Sequence, residues 1–141
     1  MQENQFHMKV FRFQLDSLLR VRTRELETEE MRLASLRADL TRLERNIQLT
    51  VEDSQNTSHT IAVGSPSGVE LDQLQHYRNA LAHKLKGMVR EQSACQFRIE
   101  QQQRKVVEAN RRKRLIERLK ERRLAEWTAE VEKEFQQLAE E

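Results

Sequence analysis

Apolar residues recur every seven positions on both sides of one cluster of turn residues, and this pattern restricts the chain more than any other feature. Upstream, Leu19, Leu26, Leu33, Leu40 and Ile47 form one series, with Leu36 and Leu43 at the companion position. Downstream, Leu74, Leu81, Met88, Cys95, Ala109 and Ile116 form one series, and Leu71, Leu85, Ile99 and Val106 the other. Such spacing lays a narrow apolar stripe along a helix, and a helix cannot bury that stripe alone. Between the two halves, "NTSHTIAVGSPSGVE" carries Gly64, Pro66 and Gly68 within five residues, the strongest chain-reversal signal present. A reversal there brings one stripe alongside the other. The expected fold class is all-α: two long helices in an antiparallel coiled-coil hairpin, the second longer. The expected helices cover about 13–53 and about 69–138, with a loop at about 54–68. Residues 1–10 read as a flexible N-terminal extension and 11–141 as a single hairpin domain.

Composition supports that reading by exclusion. Of 141 residues, 34% are charged, 5% are aromatic, and only three are Gly and one Pro, a mixture too poor in turn and aromatic residues for a layered sheet. The net charge of +2 leaves the chain neither strongly basic nor acidic, so any electrostatic role has to come from how charge is distributed. "MKVFRFQLDSLLRVR" carries charges where a secretory signal needs an apolar core. No apolar run is long enough to cross a membrane. The single cysteine, Cys95, cannot form an internal disulfide and suits a reducing compartment. "NTS" at Asn56–Ser58 reads as a chance match to a glycosylation pattern. Residues 1–7 are assigned no function, since Met8 also reads as a start.

The stripe has interruptions. Arg22, Glu29, Arg78, Gln92, Gln102 and Lys113 fall on seam positions, where polar groups lower stability but fix register. A four-residue slip is expected before Leu124, Val131 and Leu138, with Trp127 joining the later frame. The expected helices span about 60 Å and about 105 Å, which leaves roughly the last thirty residues, from near Arg111, without a partner helix. That overhang divides by charge: Arg104–Arg123 carries a net +7 and Ala125–Glu141 a net −5. Within "RRKRLIERLKERRLAEW", Leu115, Ile116 and Leu119 cluster among Arg111, Arg112, Arg118, Arg122 and Arg123 at three- and four-residue spacings. Two readings stand, a solvated basic face and an apolar anchor ringed by cations for an acidic protein partner. Antiparallel pairing would bring Phe11, Phe13, Leu15, Leu18 and Leu19 to the same end, and these residues join the candidate partner-binding set.

Other chemistry is poorly supported. "GSPSG" lacks the Gly-Lys-Ser/Thr ending of a phosphate-cradling loop. His76 and His83 are seven apart, and His7 and His59 lie far from both, so no metal-ligand spacing is present. Cys95 on the seam reads as a small apolar residue. The carboxylates have no cleft to raise their pKa. No catalytic, cofactor or metal residues are assigned. A basic-zipper DNA-binding protein would need a sustained heptad zipper after its basic helix, and only about two heptads follow Arg123.

"FRFQLDSLLRVRTRELETEE" near the start and "RRKRLIERLKERRLAEWTAEVEKEFQQLAE" at the end, on either side of a coiled-coil hairpin, resemble the flagellar export protein FliJ family. The resemblance runs from Met8 onward and rests on the order of these parts. The chain departs from it in ending "LAEE", where the family often has an acidic cluster with Asp. The resemblance implies a non-catalytic component of the flagellar type III protein export apparatus, cytoplasmic and peripheral to the inner membrane. It implies a coiled-coil stalk that binds the hexameric export ATPase, links it to the membrane protein of the export gate and binds export chaperones. It implies neither specific nucleic acid nor direct membrane insertion. The alternatives are the stalk of a virulence-type injectisome, or a nucleic-acid-binding coiled coil using the basic face of Arg111–Arg123.

Overall fold

The computed structural model describes residues 14–141. Two helices account for nearly all of them: α1, Asp16–Val63 (48 residues), and α2, Gly68–Glu140 (73 residues). No strand occurs among the described residues. The expected all-α hairpin with a longer second helix is the observed architecture. Packing divides it into two compact units, Met31–Arg104 and a second that joins the chain up to Glu30 to Lys105–Glu141.

In the unit Met31–Arg104 the heptad seam forms the core. Leu33, Leu81, Cys95 and Ile99 are its buried apolar residues, and Thr50, Thr57 and Gln102 are buried beside them. Two cross-helix hydrogen bonds mark the register: the Cys95 thiol donates to the Leu36 carbonyl at 3.6 Å, and the Tyr77 hydroxyl donates to the Asp53 carboxylate. No described side chain reaches complete burial, because a two-helix seam is covered from one side only.

α1 extends ten residues beyond the expected end near Asp53, and the loop shrinks to Gly64–Ser67. The cause lies in hydroxyl groups. Thr50 and Thr57 continue the Leu36–Leu43 series every seven residues, so the seam runs on through the polar stretch. Their hydroxyls donate to the carbonyls four residues back, Asn46 at 2.8 Å and Asp53 at 2.9 Å, and Ser58 and Thr60 do the same. A hydroxyl satisfied inside its own helix can be buried at little cost.

The reversal is then sharp. Ser65 takes a left-handed backbone at φ 43°, uncommon outside glycine, as α1 closes. Ser67 caps α2 in a reciprocal pair: the Glu70 amide donates to Ser67 Oγ at 3.3 Å, and the Ser67 amide donates to Glu70 Oε2 at 3.4 Å. That is the capping-box arrangement of Ser-x-x-Glu.

Candidate functional site

The described candidate residues all belong to the second unit, which contains the first turns of α1 and the C-terminal part of α2. Phe11 and Phe13 lie outside the described residues. Leu26 and Ala109 form the unit's buried centre. Toward the start of α1, Lys120 Nζ pairs with Asp16 Oδ1 at 3.1 Å. The basic stretch Arg111–Lys120 therefore runs beside the first turns of α1, and the expectation of an overhang starting near Arg111 is corrected. The reversal sits several residues later than expected, and each residue of displacement moves the pairing by two along α2. Only α2 residues beyond Lys120 have no described turn of α1 opposite.

Pairing divides the candidate residues. Leu15 just before α1, Leu18 and Leu19 of α1, and Ile116 and Leu119 of α2 are half-buried, so their apolar area is largely spent within the unit. Leu115 differs, with half its surface exposed. It stands in a row with Arg111, Arg118 and Arg122, at steps of four, three and four residues, which returns to nearly the same face after three turns. Of the three apolar anchors expected, Leu115 is the one aimed at solvent.

The cations divide as well. Arg111 donates to both Glu108 oxygens, Nε to Oε2 at 3.0 Å and Nη2 to Oε1 at 2.7 Å, and Arg112 Nε reaches Oε1 at 3.3 Å. Hydrogen bonding by Arg111, assisted by Arg112, holds the Glu108 carboxyl down at about 2, and Arg111 is raised in return. Lys113 lies 3.8 Å from Glu117. Arg118 and Arg122 make no ion pair among the described residues, and both are exposed; Arg123 is half-buried and engaged by a contact of its own. The outward-facing arrangement is therefore Leu115 followed along the row by Arg118 and Arg122, with Arg111 on its other side held by its carboxylate neighbour.

Farther along α2, the expected slip into a frame of Leu124, Trp127, Val131 and Leu138 is met only in part. Leu124 and Leu138 are exposed, whereas Arg123, Trp127 and Val131 are half-buried. Sequence reasoning also passed over the groove lined by Leu49, Asp53, Tyr77 and Lys84 in the other unit, since Leu49 and Tyr77 are off the heptad seam. No group of three metal-ligating side chains occurs among the described residues, and no described helix is long and apolar enough to cross a membrane.

A protein-family profile described as "Flagellar FliJ protein" matches residues 11–141. No curated protein and no solved structure matches the chain.

Proposed function

The chain belongs to the flagellar FliJ family, and on that premise we propose that it works as a coiled-coil stalk binding the hexameric export ATPase through the unit that holds both ends of the hairpin. Membership makes it a component of the flagellar export apparatus. The family match is to a flagellar protein, which favours this system over the injectisome alternative. The observation that carries the reading is the row of Arg111, Leu115, Arg118 and Arg122, where a half-exposed leucine is followed by two cations, Arg118 and Arg122, that have no ion-pair partner among the described residues.

The stalk contributes surface, and its partner supplies the chemistry. A ring presents several equivalent surfaces, and a two-helix stalk with one basic row engages them unequally. Binding energy that differs between subunits shifts their conformations differently and couples their cycles. Leu115 supplies an apolar anchor, and Arg118 and Arg122 supply charge that selects an acidic rim. The half-buried Leu15, Leu18, Leu19, Ile116 and Leu119 hold the row in place, and Phe11 and Phe13 belong to the proposed partner-binding set. Links to the membrane protein of the export gate and to export chaperones, at a site peripheral to the inner membrane, complete the proposed role.

Co-sedimentation of the full chain with the assembled export ATPase tests this reading. Arg118→Glu with Arg122→Glu should reduce retention, most at low salt. Equal retention of wild type and variant contradicts it.

A further inference from the structure

Resting on the stalk reading above, we propose that the face offered to the ATPase begins one turn earlier, at Val107, and that Glu108 is a positioning residue that leaves the centre of this face uncharged. Val106 is the seam residue and is half-buried. Val107 beside it points about 100° away around the helix and is 68% exposed, more than Leu115 at 50%. Val107, Arg111 and Leu115 follow one another at four-residue steps. Arg118, three turns on from Val107, returns to within about 20° of it, so Val107 belongs to the row already described. It is off the heptad seam and carries no charge, so neither sequence signal picks it out.

Two exposed apolar side chains two turns apart are ordinary on a protein surface. The informative part is what lies between them. Arg111 interrupts the pair with a charge, and burying an unpaired guanidinium against a partner is costly. Glu108, the one carboxylate between Glu100 and Glu117, removes that obstacle. It accepts two hydrogen bonds from Arg111, at 3.0 Å and 2.7 Å, and one from Arg112 at 3.3 Å. Glu108 precedes Arg111 by three residues and Val107 precedes it by four, which places them on opposite sides of Arg111. The carboxylate therefore draws the guanidinium away from Val107. The centre of the face is Val107 and Leu115 with a paired arginine between them. Arg114, Arg118 and Arg122, exposed and without an ion pair among the described residues, stand around it. Interface energy concentrates in an apolar centre of this kind, surrounded by a polar rim. The partner surface that fits is an apolar groove about 12 Å long, two helical turns, edged by carboxylates.

The sign of one substitution separates this face from one that works by net charge alone. Glu108→Gln makes the chain more positive, so a purely electrostatic face would bind an acidic partner more tightly. With an apolar centre, the same change frees Arg111 in the middle of the contact and binding weakens. The experiment measures the affinity of the full chain for the assembled export ATPase at two salt concentrations, with circular dichroism to check that helix content is retained. Val107→Ala should lose about fivefold, equally at both salt concentrations. Glu108→Gln should lose several-fold, and adding Arg111→Gln to it should restore most of the loss. Glu108→Gln that tightens binding, or Val107→Ala that leaves it unchanged, would overturn the proposal. If Arg118→Glu with Arg122→Glu lowers affinity while Val107→Ala and Glu108→Gln do not, this inference falls and the stalk reading stands. No change in any of these variants would remove both.

Discussion

Lys120 on α2 reaches Asp16 in the first turn of α1, Nζ to Oδ1 at 3.1 Å, and this pair marks where the start of α1 meets the basic stretch. Asp16 also sits where a negative charge favours a helix N-terminus. Both side chains keep more than a third of their surface, 40% and 47%, so the pair locates the register more than it stabilises it. A double-mutant cycle with Lys120→Ala and Asp16→Asn should give a coupling of less than about 1 kcal/mol. Thermal unfolding at low and high salt checks it. The coupling should fade as salt rises, and a large salt-independent value would contradict this account of the pair.

The reversal should be sensitive at two adjacent positions with opposite signs. A Cβ at Gly64 would come within 2.7 Å of the Thr60 carbonyl oxygen, an atom fixed in the last turn of α1. Gly64→Ala should therefore destabilise by about 1–2 kcal/mol. Ser65 already holds a left-handed backbone, so Ser65→Gly should be neutral or stabilising by up to about 1 kcal/mol. Urea unfolding of the two variants beside wild type gives both values.

Glu108 gives a pH dependence with a defined sign. Its carboxyl is held at about 2, below the ordinary 4.5, by the Arg111 and Arg112 contacts. A depressed native value means that its contribution is complete above about pH 4.5 and is lost as pH falls from there toward 2. The group is exposed, so the effect should be local and should shrink in salt. An NMR titration of the Glu108 side chain should find its midpoint well below those of other exposed glutamates. It should move up in an Arg111→Gln variant, and an ordinary midpoint in wild type would refute the clamp.

The hairpin was legible because leucines at heptad spacing on both sides of one Gly-Pro-Gly cluster leave few other ways to bury a stripe. The end of α1 was not. There the seam passes to Thr50 and on to Thr57, and Thr57 reads as loop until its hydroxyl is seen bonded to its own helix. Ser67-Gly68-Val69-Glu70 was a readable start signal for α2 and went unread. The misplaced reversal then carried forward into the overhang, so Ile116 and Leu119 were grouped with Leu115 although they are half-buried and Leu115 faces outward. At the C-terminal end, residue type misled: Leu124 looked like a seam residue, but the covered row passes through Arg123 and Trp127. The residue set for partner binding remains a proposal, with its described members in one unit.

The most direct test of the stalk reading is the affinity of the full chain for the hexameric export ATPase, measured for wild type and Leu115→Ala at two salt concentrations, with duplex DNA as the competing ligand. Leu115 is half-exposed, so its truncation removes an outward apolar anchor, leaves charge unchanged and disturbs the seam little. The account predicts a loss of about 1–2 kcal/mol in ATPase binding, roughly five- to thirty-fold in affinity, with DNA binding weak and unaffected. Leu115→Ala that leaves ATPase affinity unchanged, in a protein whose wild type binds DNA tightly with a steep salt dependence, would contradict it and assign the basic row to nucleic acid.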